Sequence, residues 1–398
     1  MKIFFYRVYQ IVMKFMVQLI NWKNAELIEG ENSILKIPAM IKDQGFSRVL
    51  LVTDKNITSL GLTANLLQEL KEKEIQCWVY DETIPNPTID NIEEGLKIYK
   101  NNQCQALIAF GGGSSMDCAK GIAARVVRPK KSVPQLRGLL KVSRKLPCIY
   151  AIPTTAGTGS ETTIAAVISN PLTHEKYAIN DPSLVPQYAV LDPLITVGLP
   201  PFITATTGLD ALTHAVEAYI GRSNTRETRE DARIAVKLIY ENLYKAYTDG
   251  KDITARSNML KASFLAGVAF TKAYVGAVHA MAHTLGGYYR TPHGLANAVI
   301  LPYVLDYYGS TAWKPLAELA DLVGLGSVNE SDEVKANKFI ASIREMEAKM
   351  NISTKIEGIR EEDIPGMIKN ALKEANPLYP LPKILFAEDY RKLYDKIR

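Results

Sequence analysis

The sequence predicts an α/β domain with a parallel sheet, followed by an all-helical domain. Between about Gly30 and residue 197, short apolar runs alternate with segments of helical periodicity, which is the pattern of βαβ units. After the Pro200–Pro201 pair, strand-like runs almost cease and helical periods dominate. A chain of 398 residues is long enough for two separate cores. We therefore expect three parts: an N-terminal extension over 1–24, an α/β domain over 25–198 and an all-helical domain over 199–398.

The apolar runs and helical periods also place the individual elements. In the first half they predict strands at 48–53, 75–80, 105–110, 148–152, near 163–169 and near 188–192. Helices are expected between them at 60–73, 88–102 and 115–127, with Thr88 as the N-cap of the second. In the second half the periods predict helices at 203–220, 227–247, 254–271, 276–286, 294–308, 312–323 and 332–349.

The first twenty residues predict an amphipathic helix. Lys2, Arg7 and Lys14 interrupt the apolar run, and no small-residue cleavage site follows it, which argues against a membrane span or a signal peptide. Helical spacing puts two kinds of side chain on opposite faces: Phe4, Val8, Ile11, Val12, Phe15 and Leu19 on one, and Arg7, Gln10, Lys14 and Gln18 on the other. We expect the apolar stripe to pack on the body of the protein or on a partner subunit. The alternative is a basic helix at a membrane surface.

Composition and charge exclude some classes of protein. The net charge of +5 is spread along the chain, and neither a long Lys/Arg run nor a zinc-finger spacing indicates a nucleic-acid partner. The four cysteines are scattered without a CxxC pair, which is typical of reduced thiols in a cytoplasmic protein.

A glycine-rich loop, GGGSSMD at 111–117, follows a predicted buried strand and opens a predicted helix. Glycines at such a turn let the backbone approach a phosphate, and the helix N-terminus supplies N–H donors and the positive end of a dipole. The loop is not the GxGxxG fingerprint, and the alternative is a tight turn without a ligand.

A second loop, PTTAGTGS at 153–160, also follows a predicted strand and is rich in glycine and hydroxyl groups. Ligands of open α/β sheets bind at the carboxyl ends of the strands, so two such loops predict a nucleotide site. Asp54 ends another strand, where a carboxylate can bind a ribose and repel a 2′-phosphate, favouring NAD over NADP. Its alternative role is a helix cap.

Four of the five histidines lie between Gly208 and Gly294. Asp210 and His214 are four residues apart, as are His279 and His283, so each pair shares one helical face. With His293 these residues offer five candidates for the three or four protein ligands of a divalent metal, and spacing does not choose among them. His174 is distant in sequence and is expected at the surface.

Together these motifs resemble the iron-containing (group III) alcohol dehydrogenase family. The resemblance runs from about Leu27 to the C-terminus. Its carriers occur in the family's order and are LLVTD (50–54), IPNPT (84–88), GGGSSMD (111–117), IPTTAGTGSE (152–161), GLDALTHAVEAYIG (208–221) and HAMAHTLGGYYRTPHGLANAVILP (279–302).

The resemblance implies a dehydroquinate-synthase-like fold, with a dinucleotide-binding domain followed by a metal-binding domain. It implies that Asp210, His214, His279 and His293 are the metal ligands, and that His283 lies beside the metal as a candidate for proton handling. The implied metal is Fe(II), with zinc or another divalent ion as alternatives. The implied cofactor is NAD rather than NADP, contacted by Asp54, Asn86, Gly112, Gly113, Ser114, Asp117, Thr154, Thr155, Thr158, Ser160 and Lys176.

The implied activity is an NAD(P)-dependent alcohol dehydrogenase (EC 1.1.1.-). It transfers a hydride between NAD(H) and a small alcohol, aldehyde or ketone, with the metal as Lewis acid on the substrate oxygen. A cytoplasmic homo-oligomer is expected. The rival functions are a zinc-dependent glycerol or diol dehydrogenase, a dehydroquinate-synthase-like lyase and a membrane-associated scaffold that binds a cofactor. The lyase needs a cluster of basic residues for a phosphate-bearing substrate, and the segments around the metal motif carry none.

Overall fold

A computed structural model describes residues 2–18, 20, 22–170 and 175–398. The chain divides into two compact units, one formed by Trp22–Gly198 and the other by Met1–Asn21 together with Leu199–Arg398. Leu19, in the predicted apolar stripe, and His174, the predicted surface histidine, lie outside the described residues. The side chain of Gln18 is not described either.

The Trp22–Gly198 unit is built on a six-stranded, all-parallel sheet with the order β1-β9-β6-β4-β2-β3. A second sheet has the order β5-β8-β7 and pairs β7 with β8 antiparallel. The strands are β1 (Glu26–Glu29), β2 (Arg48–Val52), β3 (Gln76–Tyr80), β4 (Ala106–Gly111), β5 (Gly138–Leu139), β6 (Cys148–Pro153), β7 (Ala165–Asn170), β8 (Glu175–Asn180) and β9 (Tyr188–Leu191).

The central strands are nearly continuous apolar runs because both faces of the sheet are covered. Alternate residues enter two cores: Leu50 and Leu107 belong to one, and Leu51 and Ile108 to the other. The helices of this unit, with an N-terminal helix α1 (Lys2–Gln18) preceding it in the chain, are α2 (Ile37–Asp43), α3 (Lys55–Ser59), α4 (Ala64–Glu72), α5 (Ile89–Asn101) and α6 (Gly113–Val127). The prediction of a parallel α/β fold is confirmed.

Some predicted boundaries in this unit are wrong. The helix expected at 60–73 begins at Ala64, and the separate short helix α3 precedes it because Asp54 caps a turn there. The strands β1, β5 and β8 were not predicted, since β1 is flanked by two glutamates and β5 has two residues. The Thr88 cap of α5 is confirmed, because its hydroxyl accepts a hydrogen bond from the Asn91 backbone N–H.

The other unit contains helices and, among its described residues, no strand. Its helices after α1 are α7 (Pro201–Ile220), α8 (Arg226–Thr248), α9 (Ile253–Ala273), α10 (Ala277–Tyr289), α11 (His293–Tyr308), α12 (Trp313–Leu322), α13 (Asp332–Lys349), α14 (Ile364–Ala375) and α15 (Ala387–Ile397). The helical second half is therefore confirmed. Helix α7 is buried along nearly its whole length, which explains its apolar composition outside the polar residues described below.

Helix α1 is amphipathic as predicted, but the expectation that its apolar stripe packs on the body of the protein is wrong. Gln10, on the polar face, is buried, whereas Phe4, Ile11 and Phe15 on the apolar face are exposed. The polar side chains bond to backbone carbonyl groups of the segment 377–382. The helix is therefore attached by its hydrophilic side.

Within the described part of the chain, no single helix has the length and hydropathy needed to cross a membrane. Helices α9 and α10 have that length and hydropathy only when they are taken together, and the chain bends by 103° at the break between them.

Glu347 makes a testable contribution to stability. It lies in α13 with 2% of its surface exposed, and its Oε1 has no partner among the described residues. Burial raises the pKa of Glu347 from 4.5 to about 8. The folded state therefore holds this proton more tightly than the unfolded state, so the stability contribution falls as pH rises from about 4.5 to about 8.

We expect Glu347→Met to raise the melting temperature by several degrees at pH 8.5, with a smaller gain at pH 5, since about 1 kcal/mol corresponds to about 2–4 °C in a domain of this size. Thermal unfolding followed by circular dichroism across this pH range measures the difference. Glu345→Met, on the exposed side of the same helix, is the control. A gain that does not grow with pH contradicts the assignment.

Candidate active site

Three helices bring the predicted metal ligands together. Asp210 and His214 lie one turn apart on α7, His279 lies in the first turn of α10, and His293 begins α11. The ligand atoms of these four side chains all lie within 4.8 Å of one another. Asp210 Oδ1 is 3.9 Å from His279 Nε2 and 3.7 Å from His293 Nε2. Metal bonds of about 2.1 Å in a tetrahedral shell give ligand separations near about 3.4 Å, so the donors fit one ion.

Burial makes this cluster asymmetric. Asp210, His214 and His279 are buried, whereas the His293 side chain is 31% exposed. The His214 ring stacks between those of Phe270 and His279, at centroid distances of 4.2 and 4.4 Å. An ion held here would be enclosed on the side of α7 and reachable on the side of His293.

Glu217 supports the cluster from behind. It follows His214 by three residues on α7, and its Oε2 lies 2.6 Å from His279 Nδ1. The same carboxylate accepts hydrogen bonds from the backbone N–H groups of Gly276 and Val278, which begin α10. An Nδ1–H that donates to Glu217 leaves the lone pair of His279 on Nε2, the atom that faces the other ligands.

The electrostatics of the cluster suit metal binding. Burial, with the nearby histidines, lowers the pKa of His279 well below its usual value, which keeps the imidazole neutral. Burial raises the pKa of Asp210 and raises that of Glu217 to about 8. A cation bound beside these two buried carboxyl groups would compensate their negative charge.

Asn297 is a fifth polar group in the cluster and was not among the predicted site residues. It is fully buried one turn after His293 on α11. Its amide donates to Asp210 Oδ1 at 2.6 Å and lies 3.2 and 3.1 Å from the Nε2 atoms of His279 and His293. The spacing of four residues from a histidine was the available signal. The amide fixes the orientation of the Asp210 carboxylate.

His283 lies beside this group and has its own carboxylate partner. Its ring stacks on that of His293 at 5.2 Å, and its Nδ1 is 2.6 Å from Glu374 Oε1. Tyr379 donates its hydroxyl to the same Glu374 oxygen. Glu374 lies 91 residues after His283, on α14, so no local spacing could reveal the pair.

The backbones of α7 and α11 approach closely at Gly294, next to His293. A Cβ atom at Gly294 would lie 2.5 Å from the Thr206 carbonyl oxygen. Carbon and oxygen atoms that are not bonded to each other do not approach so closely, and the backbone of α7 cannot move aside as a flexible side chain could. A glycine is therefore required where the two ligand-bearing helices meet.

The two glycine-rich loops lie against each other in the Trp22–Gly198 unit. Gly112 is the N-cap of α6, and a Cβ on Gly113 would lie 3.0 Å from Thr158 of the second loop. A Cβ on Gly112 would lie 3.5 Å from Thr155 Oγ1, and the Thr154 N–H donates to the Gly111 carbonyl group. The predicted phosphate-binding backbone and the hydroxyl-rich loop thus form one surface at the start of α6.

Three further predicted cofactor residues form a connected group. The Asn86 N–H donates to Ser114 Oγ at 3.2 Å, and Lys176 Nζ donates to Asn86 Oδ1 at 2.8 Å. This group joins the IPNPT segment to the start of α6.

Two predicted cofactor residues also have structural partners. Asp54 Oδ1 accepts hydrogen bonds from the N–H groups of Asn56 and Ile57, so it is the cap of α3. Asp117 is buried and accepts hydrogen bonds from Ser160 Oγ and the Val167 N–H. Burial raises the pKa of Asp117 to about 6.

Lys120, which the sequence analysis did not single out, holds the second loop. Its fully buried ammonium group donates to carbonyl and hydroxyl oxygens of Ser160 and Thr163 and to the Ala165 carbonyl. Burial lowers the pKa of Lys120 to about 8.

Comparison with known proteins decides the family. The pattern described as "Iron-containing alcohol dehydrogenase" matches residues 24–193, and that described as "Fe-containing alcohol dehydrogenase family, C-terminal" matches residues 204–397. The chain belongs to the iron-containing alcohol dehydrogenase family. It is 39% identical to a 1,3-propanediol dehydrogenase of Klebsiella pneumoniae over 351 residues, which cover 87% of this chain and 90% of that protein.

Solved structures of the family share this fold. A 1,3-propanediol oxidoreductase matches with a TM-score of 0.91 and 35% identity, over 95% of this chain and 100% of that chain. A sulfoacetaldehyde reductase from Bifidobacterium kashiwanohense, solved in complex with NAD+, matches with a TM-score of 0.84 and 26% identity, over 95% of this chain and 98% of that chain. This chain is an oxidoreductase of the alcohol dehydrogenase class, and the rival lyase and scaffold functions are not favoured.

The contact between Glu217 and His279 leads to a prediction about metal affinity. We expect Glu217→Gln to weaken metal binding about 10–100-fold, because the amide cannot keep the imidazole oriented and accept both N–H groups of α10. Competition with a chelator measures the affinity. Glu230→Gln, on the exposed face of α8, is the matched control and should leave it unchanged. Equal affinities in the two variants would show that Glu217 does not orient the ligand.

Proposed function

We propose that this protein is a metal-dependent alcohol dehydrogenase that transfers a hydride between NAD(H) and a small alcohol, aldehyde or ketone. The observation that carries the proposal is the cluster of one carboxylate and three imidazoles, with His279 oriented by a buried glutamate. Membership of the iron-containing family supports the reaction class. Because one relative is named a 1,3-propanediol dehydrogenase, small primary alcohols and diols are the first substrates to test.

Asp210, His214, His279 and His293 are the proposed metal ligands. A divalent metal bound there would supply a Lewis acid for the substrate oxygen, and NAD would supply the hydride acceptor. We propose Fe(II), although the same four donors also suit zinc or manganese. The first three ligands are buried, so substrate approaches on the open side, where His293 and His283 are about one-third exposed.

His283 is the proposed proton-handling residue. In the tautomer whose Nδ1–H donates to Glu374, the ring lone pair lies on Nε2. Nε2 can therefore take the alcohol proton during oxidation and return it during reduction. Tyr379 donates to Glu374 and so keeps that carboxylate in place.

The cofactor is proposed to lie on the two loops of the dinucleotide-binding domain. Backbone N–H groups at Gly112, Gly113 and Ser114 begin α6 and suit a pyrophosphate, since the dipole of a fifteen-residue helix points at them. Thr154, Thr155, Thr158 and Ser160 form the adjoining hydroxyl-rich loop. Asn86, Lys176 and Asp117 complete the proposed contacts. The domain limits 25–198 and 199–398, the cytoplasmic location and the homo-oligomer remain parts of the proposal.

The first test joins metal content to turnover. Protein purified without oxygen should carry about one divalent metal per chain and reduce NAD with a primary alcohol or 1,3-diol. His279→Ala should lose the metal and lower kcat by at least about 10³-fold, because the alkoxide loses its Lewis acid. His174→Ala, outside the proposed ligand set, is the control. A His279→Ala protein that turns over normally without metal would refute the scheme.

The second test concerns the choice of cofactor. Asp54→Ser keeps a hydroxyl that can cap α3 but removes the charge that repels a 2′-phosphate. We expect the ratio of kcat/KM for NADP to that for NAD to rise about tenfold, which corresponds to about 1.4 kcal/mol. Asp43→Ser, at the exposed end of α2, is the control. An unchanged ratio with an unchanged melting temperature would leave Asp54 only its role as a cap.

A further inference from the structure

Helix α1 is fixed to its unit through polar side chains. The Arg7 guanidinium donates to the carbonyl groups of Leu381 and Pro382 at 2.7 and 2.9 Å. The Gln10 amide, 4% exposed, donates to those of Pro377 and Tyr379 at 3.1 and 2.7 Å. Four hydrogen bonds from two adjacent turns hold the helix in one orientation about its axis.

The opposite face of α1 consists of large apolar side chains that face solvent. Nine of the twenty large apolar residues that are exposed in the described chain lie in this helix. Seven of them form what we call the apolar face: Phe4, Phe5, Val8, Ile11, Val12, Phe15 and Met16, each between 42% and 68% exposed. Single exposed apolar residues are common on protein surfaces and need no explanation. A contiguous patch of this kind instead marks an interaction site.

The charge around the apolar face has one sign. Lys2 and Lys14 lie on the same helix, and the sequence contains no acidic residue before Glu26. Lys14 Nζ lies 3.4 Å from the carbonyl group of Arg222, whose side chain adds a further positive charge nearby. The helix also precedes the family match, which begins at residue 24, so it is an addition to the catalytic fold.

We propose that the apolar face of α1 binds the surface of an anionic membrane, with the helix lying in the interface and the enzyme attached to one leaflet. A helix of seventeen residues is about 26 Å long and can lie flat with its apolar side chains among the lipid tails. Lys2, which is exposed at the start of the helix, then meets lipid phosphates.

A second copy of the chain fits this face less well. Pairing α1 with itself would bring together two helices whose charged side chains, Lys2, Arg7 and Lys14, are all positive, with no acidic partner from either helix. An anionic lipid surface instead supplies the missing negative charge, so the membrane is the occupant that the charges favour.

Sedimentation of the full-length protein with vesicles tests the proposal. We expect binding to phosphatidylcholine vesicles that contain about 30% phosphatidylglycerol, little binding to pure phosphatidylcholine, and loss of binding at high salt. Lys2→Gln should lower the partition coefficient about fivefold, which corresponds to about 1 kcal/mol. Phe4→Gln with Phe15→Gln should lower it at least about tenfold.

The matched control is Leu60→Gln with Val328→Gln, which changes two exposed apolar residues elsewhere and should bind as the parent does. All variants should keep the alcohol dehydrogenase activity and melting temperature of the parent. Three results would overturn the proposal: no binding to anionic vesicles, equal binding to neutral ones, or a concentration-dependent dimer in analytical ultracentrifugation that the Phe4 and Phe15 substitutions abolish. The last result would identify a second copy as the occupant.

Discussion

The carboxylate of Glu217 is the interaction on which the metal cluster depends. It joins α7, which carries two of the proposed ligands, to the start of α10, which carries a third. A buried carboxylate is costly unless it is fully hydrogen-bonded, and here two backbone N–H groups and one imidazole surround it. The cost of burying the group is thus offset only when both helices are in place, which makes the ligand geometry part of the folded core.

In the Trp22–Gly198 unit a buried cation, and not a buried carboxylate, joins two segments of the chain. The ammonium group of Lys120 is buried and surrounded by oxygen atoms of the second glycine-rich loop. Irregular backbone of this kind has many carbonyl groups that no strand or helix satisfies, and a single cation with several donors can satisfy them together. The loop that follows β6 is therefore held by a side chain from α6, the helix that the other loop begins.

Much of the fold could be predicted from periodicity, because the central parallel strands are nearly continuous apolar runs and most helices of the second half are long. The Asp210–His214 pair was visible because one helical turn separates the two residues. The Glu374–His283 contact was not, since it depends on how α14 packs on α10. Periodicity identified both faces of α1, but not which face is attached. The acceptors for Arg7 and Gln10 are backbone carbonyl groups, which have no sequence signature.

The close approach at Gly294 has a consequence for the spacing of the proposed metal ligands. His293 is held at a fixed offset from α7 by contact between two main chains, and not by the packing of adjustable side chains. The distance between the backbones that carry His293 and Asp210 therefore depends on position 294 having no side chain. A larger residue there would force α11 away from α7 and would separate the ligands that the two helices carry.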